Sequence, residues 1–231
     1  MVSEIKRSDT IRYIKVSDSR PVVDHLADTI KKRLDSGQRV FWLIPGGSAI
    51  AIAVAVGKRL ADVDARSLHV TLTDERYGPV GHRDSNWQQL IDAGFDIPSA
   101  QLAPVLTGDD IDETIRAFVV YLETQLASAD YSIGLFGMGA DGHTAGVLPG
   151  DSAAIGDDLV KHYSADDYQR VTMTLAAIAR LDEAAVYAVG PEKIDALEKL
   201  QKEFTLEEQP AQILKRVAVS TIYNDLRGDE T

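Results

Sequence analysis

The chain has 231 residues, of which 45% are hydrophobic and 26% charged, a composition typical of a globular protein. Its formal net charge is −12, and because a uniformly acidic surface repels phosphate backbones and anionic lipid, we expect neither nucleic acid nor membrane as a partner. The absence of cysteine excludes disulfides, thiolate nucleophiles and cysteine-ligated zinc. The apolar runs are short, and the N-terminus lacks the apolar core of a signal peptide, so the expected location is cytoplasmic.

Hydrophobic periodicity predicts strands and helices in alternation. In chain order the predicted elements are a helix over 21–36, a strand over 40–44, a helix over 49–60, a strand over 68–73, a short strand over 101–105, a helix over 109–127, a strand from 131, a strand beginning at 171 with a short helix after it, a strand over 184–190, a helix over 191–202 and a strand over 217–222. The polar segment 151–169 indicates no clear element. This order is typical of an α/β fold, with a mainly parallel sheet flanked by helices. We expect a single domain over residues 1–231, with room for a small inserted subdomain.

The stretch 131–150 carries the strongest functional signal. An apolar strand ends at Gly137, and Asp141, Gly142 and His143 follow in the loop after it. In an open α/β sheet, loops at the carboxyl ends of strands bind ligands. An imidazole there, beside a carboxylate that could orient it, is typical of general acid–base chemistry. The alternative interpretation is a glycine-rich turn with a surface histidine.

A second glycine-rich turn follows the strand over 40–44. Gly46, Gly47 and Ser48 precede a helix, where exposed backbone N–H groups could bind an anion. The alternative is a tight turn in which Ser48 simply caps the helix. No Gly-Lys-Ser/Thr follows, so the turn is not a nucleotide-binding P-loop.

Polar residues also follow the strand over 68–73, from Asp74 and Arg76 to Asn86. The alternatives here are a surface ion pair between Asp74 and Arg76 and a helix N-cap at Ser85. Near the C-terminus, Lys193 lies in the first turn of a predicted helix, which is unfavourable for the helix dipole unless an anion shares the site. A solvated surface lysine is the alternative for that residue.

Taken together, the loops at 46–48, 74–86, 137–149, 170–174 and 190–193 resemble the 6-phosphogluconolactonase family. That family shares its fold with glucosamine-6-phosphate deaminases and ribose-5-phosphate isomerases. The most specific segments are DERYGPVGHRDSN and GMGADGHTAGVLPG, and the resemblance extends over nearly the whole chain. It implies a Rossmann-like three-layer sandwich of the phosphosugar isomerase/lactonase type.

Two positions favour the lactonase branch of this resemblance. Arg76 follows Asp74-Glu75 where deaminases typically carry an aromatic residue, and Leu148 stands where deaminases place an acid–base glutamate. Two other readings stay open: a glucosamine-6-phosphate deaminase or isomerase, and a non-catalytic sugar-phosphate sensor. The sensors carry a DNA-binding helix-turn-helix segment, whereas this acidic chain has only about twenty residues before its first predicted helix.

The resemblance implies hydrolysis of 6-phospho-D-glucono-1,5-lactone, with His143 as the general base. Either Asp141 or Asp74 would orient the imidazole, and Arg76 would steady the oxyanion or the substrate's oxygens. The residues implied for substrate and phosphate binding are Gly46, Gly47, Ser48, Asn86, Gly142, Arg170 and Lys193. No metal or cofactor is implied, and the expected partner is the small-molecule lactone alone, bound by a monomer or weak dimer.

The sequence departs from the family pattern in two loops. The glycine turn continues with Ala49 and Ile50 where the family usually has Thr-Pro, so one potential phosphate ligand is missing. Residues 146–148, Gly-Val-Leu, replace the usual Ser-Leu-Phe, which changes packing rather than chemistry.

Overall fold

The computed structural model describes residues 11–151, 156–165 and 168–228. The strands within these ranges are β1 (Arg12–Lys15), β2 (Val40–Ile44), β3 (Leu68–Leu72), β4 (Asp74–Tyr77), β5 (Gln101–Leu102), β6 (Tyr131–Gly137), β7 (Val160–Ala165), β8 (Tyr168–Met173), β9 (Glu183–Ala188) and β10 (Val219–Asn224). The α-helices are α1 (Arg20–Asp35), α2 (Ile50–Arg59), α3 (Asn86–Asp92), α4 (Ile111–Ser128), α5 (Leu175–Ile178) and α6 (Ile194–Leu200). Short 3-10 helices cover Gly47–Ala49, Pro191–Lys193 and Pro210–Arg216.

The main sheet has seven strands in the order β1-β10-β9-β6-β2-β3-β5, and every neighbouring pair is parallel. All five residues of β2 are buried, as expected for a central strand covered on both faces. The core includes large side chains from β2 and β6, among them Trp42, Phe41 and Phe136. The prediction of a mainly parallel sheet flanked by helices is therefore confirmed.

The strand order changes direction between β2 and β6. From β2 the chain moves through α2 to β3 on one side, whereas from β6 it moves to β9 on the other side. Right-handed crossovers then place α1 and α2 on one face of the sheet and α4 and α6 on the opposite face. Contacts between α1 and α2 agree with this arrangement. A crevice at the carboxyl ends of β2 and β6 is the position at which such sheets bind ligands.

A second, antiparallel sheet has the order β4-β8-β7. Its register pairs Asp74 with Thr172 and Arg76 with Arg170. Because side chains alternate along a strand, these four residues lie on one face of the small sheet, and Glu75 lies on the other.

Segment 151–169, from which the sequence indicated no element, contains β7 and the start of β8. Both strands alternate between exposed and half-buried residues at this end, so they lack the apolar run by which the core strands were recognised. Residues 152–155 and 166–167 of that segment lie outside the described ranges. The edge strand β1 was also missed, and the helix predicted over 191–202 begins with a 3-10 turn and becomes α-helical at Ile194. None of the helices described here is long and apolar enough to cross a membrane.

Gly134 in the central strand β6 allows us to test how tightly the core is packed. A Cβ atom at this position would lie 2.3 Å from Cε2 of Phe136 and 3.1 Å from Cδ1 of Leu181. We therefore expect Gly134→Ala to lower the free energy of unfolding by about 1–3 kcal/mol through overpacking. Gly137→Ala in the same strand is the control, because nothing lies within 4 Å of its added carbon, and it should change stability by less than about 0.5 kcal/mol. Urea denaturation measures both, and equal losses would contradict this account of the packing.

Candidate active site

His143 and Asp141 form a pair in the loop after β6. Oδ1 of Asp141 accepts a hydrogen bond from the backbone N–H of His143 at 3.0 Å and lies 2.7 Å from Nδ1 of the same residue. Since a carboxylate only accepts, the ring proton lies on Nδ1 and the lone pair on Nε2. Burial opposes ionisation of Asp141, but the bonds from His143 hold the pKa of this carboxyl below its usual value. The imidazole is therefore oriented by a charged partner, with its side chain 40% exposed.

The glycines of this loop make room for the pair. A Cβ at Gly139 would lie 2.0 Å from Nδ1 of His143 and 2.4 Å from Oδ1 of Asp141. Gly142 has a φ of +88°, and a Cβ there would lie 2.6 Å from Cγ of the buried Gln209. A larger residue at either position would displace the loop, as the sequence pattern predicts for glycines that permit close approach.

The small sheet holds the same loop from the other side. The backbone N–H of Gly146 donates to Oγ1 of Thr172 at 3.0 Å, and the hydroxyl of Tyr163 donates to the carbonyl oxygen of Gly146 at 2.6 Å. The loop that carries the imidazole is thus anchored on the strand pair that carries Asp74. Tyr163 could not be predicted from sequence, because its segment shows no strand pattern, and Thr172 was expected only as part of a predicted strand and of the segment 170–174.

Asp74 is buried, with 8% of its surface exposed, so the alternative of a surface ion pair is wrong. Oδ1 of Asp74 accepts from the Thr73 hydroxyl at 2.8 Å, and Nδ2 of Asn86 donates to the Asp74 carbonyl oxygen at 3.0 Å and to its Oδ2 at 3.3 Å. Asn86 also lies against the first glycine turn, since a Cβ at Gly46 would be 2.2 Å from its Oδ1. Asn86 therefore connects the two loops that the sequence analysis treated separately.

The charged residues of the site lie within electrostatic range of Asp74. Burial raises the pKa of Asp74, and the nearby charges of Arg170, Arg76 and His143 oppose that rise. Asp74 thus lies within electrostatic range of all three side chains, although the hydrogen-bonded partner of His143 is Asp141. Sequence had left open which aspartate would orient the imidazole, and the contact distance favours Asp141.

Arg76 and Arg170 face each other across β4 and β8. Nη1 of Arg76 donates to the carbonyl oxygen of Asp84 at 3.0 Å, and its guanidinium lies 5.8 Å from the centroid of the Tyr168 ring. The Nε atoms of both arginines are buried without a hydrogen-bond partner in the described structure. The two guanidinium groups therefore offer charged donors from the same face of the small sheet.

The Gly46–Ser48 turn differs in detail from the prediction. Gly47 has a φ of +67°, and the turn continues as a 3-10 helix into α2. Ser48 is exposed and accepts no capping hydrogen bond, so the alternative of a serine N-cap is wrong. Ala49 and Ile50, which depart from the family pattern, are 5% and 9% exposed and pack in the core.

Two further predicted residues lie at loop ends. Lys193 is half-buried in the 3-10 helix after β9, and its ammonium group has no partner among the ion pairs and hydrogen bonds of the described residues. The preceding strand β9 pairs with β6, so Lys193 and the loop of His143 leave the sheet at the same edge.

Ser85 accepts from the backbone N–H of Gln88 at 3.1 Å, which confirms the N-cap interpretation of that serine.

The model of the glucosamine-6-phosphate isomerases/6-phosphogluconolactonase family matches residues 17–223. The chain belongs to this family. A 6-phosphogluconolactonase of Mycobacterium tuberculosis is 30% identical over 178 residues, covering 70% of this chain and 72% of the relative. A second 6-phosphogluconolactonase, from Thermotoga maritima, is 27% identical over 193 residues, covering 80% of this chain and 85% of the relative.

Solved structures agree with the fold. A 6-phosphogluconolactonase structure from Thermotoga maritima has a TM-score of 0.75 at 23% identity, covering 93% of this chain and 99% of its own. A monomeric glucosamine-6-phosphate deaminase has a TM-score of 0.78 at 15% identity, covering 94% and 98%. Since proteins of both names share this fold, residues of the site must distinguish the two activities.

The bond from Gly146 to Thr172 gives a test of how the His143 loop is anchored. Thr172→Val keeps the side-chain shape but leaves the buried N–H of Gly146 unpaired, which costs about 1–3 kcal/mol. We expect hydrogen exchange at the Gly146 amide to accelerate by about tenfold or more. Thr71→Val is the matched control, because Thr71 is equally buried and donates at 2.7 Å to Ala103 in the main sheet. Unchanged exchange at Gly146 in the Thr172 variant would show that the loop is held elsewhere.

Proposed function

We propose that the chain hydrolyses 6-phospho-D-glucono-1,5-lactone to 6-phospho-D-gluconate, the second step of the oxidative pentose phosphate pathway. The observation that carries the proposal is the oriented His143–Asp141 pair, placed near two arginines at the switch point of the sheet. Family membership and the similarity to 6-phosphogluconolactonases support the same activity.

His143 is the general base of the proposed mechanism. Nε2 takes a proton from water, whose oxygen attacks C1 of the lactone and forms a tetrahedral intermediate. When the intermediate collapses, the bond between C1 and the ring oxygen breaks, and the imidazolium returns its proton to that oxygen. Asp141 holds the ring orientation throughout and stabilises the imidazolium. Asp74 lies within electrostatic range of the same ring.

Arg76 and Arg170 have separate roles in this proposal. The bond to Asp84 fixes Arg76, so this guanidinium suits the developing oxyanion or the substrate's oxygens. Arg170 makes no comparable bond among the described residues and neutralises the phosphate together with Lys193. The backbone N–H groups of the turn 46–48 complete the phosphate site. Asn86 connects Asp74 to the Gly46 turn beneath the substrate, and Gly142 lines the loop of His143.

Leu148 separates this proposal from a deaminase mechanism. Deamination by this family's other branch requires a carboxylate five residues after the histidine, and here that position holds an apolar side chain that is 37% exposed. An exposed leucine cannot relay a proton, whereas lactone hydrolysis needs no such relay. The residues assigned above belong to one chain, so we expect a monomer or weak dimer to be sufficient for activity. No metal or cofactor has a role in these steps.

The direct test is acid release from freshly generated 6-phosphogluconolactone, with and without purified protein. Spontaneous hydrolysis is subtracted, and glucosamine-6-phosphate is incubated in parallel with ammonia detection. We expect accelerated loss of the lactone and no ammonia. Saturable binding of the phosphosugar without acceleration would instead favour a sensor, and ammonia release would favour the deaminase.

His143→Ala should lower kcat by about 10²–10⁴, the range typical of losing a positioned acid–base group. His162→Ala provides the matched control, since His162 is exposed on β7 and faces away from the side of the small sheet that holds Arg170. Steady-state kinetics on both variants checks the assignment. Near-wild-type turnover in His143→Ala would rule out the mechanism.

A further inference from the structure

Glu75 is a fully buried carboxylate between two residues of the proposed site. Along β4, Asp74 and Arg76 point to the face that carries Arg170, and Glu75 points to the opposite face. The side chain cannot reach the substrate from there, and the mechanism above assigns it no role. A buried carboxylate is costly unless it is fully hydrogen-bonded, so its presence requires an explanation.

Four donors surround this carboxylate. Oε1 accepts from the backbone N–H of Arg76 at 2.7 Å and of Asn86 at 2.6 Å. Oε2 accepts from the Ser85 hydroxyl at 2.9 Å and from the backbone N–H of Trp87 at 3.0 Å. Burial raises the pKa of Glu75, and the four hydrogen bonds oppose that rise. Three of the four partners are backbone N–H groups, which can only donate, so the site suits a carboxylate that accepts hydrogen bonds on both oxygens.

The bonds of Glu75 close a ring that includes three residues of the proposed site. The carboxylate fixes the backbone of Arg76 directly, and it fixes the first turn of α3 through Asn86 and Trp87. The side chain of Asn86 then returns to Asp74, the residue that precedes Glu75 in the chain. The strand and the helix therefore cannot shift against each other without breaking bonds to a buried charge.

We propose that Glu75 is a positioning residue: its buried carboxylate fixes Arg76 and Asn86, and through Asn86 the carboxylate of Asp74, in the geometry that lactone hydrolysis requires. The inference rests on the proposed function, because it concerns the turnover of that same site. Displacements of about 1 Å in a catalytic group can cost about 10²-fold in rate, so a residue that prevents them affects kcat without contacting the substrate.

Glu75→Gln is the decisive variant. The amide has nearly the same shape but offers one acceptor oxygen, and its NH₂ group would face two of the four donors. We expect kcat to fall by about 10–100-fold. KM should change by less than about threefold, because Lys193 and Arg170, which hold the phosphate in the proposed function, lie outside β4 and α3.

Glu183→Gln is the matched control. Glu183 is likewise buried, accepts a hydrogen bond from Tyr131 and contacts His25, but it stands at the amino end of β9, away from the site. Both variants should lower the melting temperature, and only Glu75→Gln should lower kcat when both are assayed at a temperature at which circular dichroism shows them folded. Equal kcat values for Glu75→Gln and the wild type, or equal losses in both variants, would overturn the inference. If the wild type itself does not hydrolyse the lactone, the proposed function fails instead.

If Glu75→Gln does not fold, two variants of Ser85 test the positioning role of Glu75. Ser85→Ala removes one of the four donors, whereas Ser85→Thr keeps both that donor and the helix cap. We expect a loss in kcat of about three- to tenfold in Ser85→Ala and kcat close to the wild-type value in Ser85→Thr. Equal turnover in these two variants would overturn the proposal.

Discussion

The site depends on one topological constraint, the reversal of strand order between β2 and β6. The two strands are hydrogen-bonded neighbours, yet the chain leaves them in opposite directions. The loops that follow these strands therefore diverge and leave a crevice at the edge of the sheet. Two neighbouring strands whose connections run toward the same side would leave no such crevice. The glycine turn 46–48 and the loop of His143 stand on either side of this crevice because each follows one of these two strands.

The small antiparallel sheet supplies what the main sheet cannot. Each parallel strand of the main sheet contributes one loop to the crevice. The antiparallel strand pair β4–β8 instead presents a row of side chains at fixed spacing. Asp74, Arg76, Arg170 and Thr172 share one face of that pair. Thr172 and Tyr163 then bind Gly146, so the imidazole and the arginines are placed by one connected set of hydrogen bonds. Because side chains alternate along β4, Glu75 points to the opposite, buried face of the small sheet, where hydrogen-bond donors can surround its carboxylate.

Much of this architecture could be predicted from sequence, and the misses have physical causes. The core strands are continuous apolar runs, and the glycines mark turns with close contacts, so the main sheet and the loops were recognised. β4 and β7 are polar strands of a half-exposed sheet, for which period-two hydrophobicity is weak. The bonds of Glu75 and Tyr163 join residues distant in sequence, and no local pattern encodes them. The pairing of Asp141 with His143 had a local signal, because an aspartate commonly bonds the backbone N–H two residues ahead.

The positions of Arg76 and Arg170 give the proposed function a consequence for the stability of the fold. The two residues are paired across β4 and β8, on the same face as the buried Asp74. In the proposed function the phosphosugar binds the native state alone, since the unfolded chain does not hold these side chains together. By mass action, a ligand at a hundredfold excess over its Kd adds about 2.7 kcal/mol to the free energy of unfolding. On the proposed function, the folded population therefore rises with phosphosugar concentration, so that the chain resists unfolding most when its substrate is abundant.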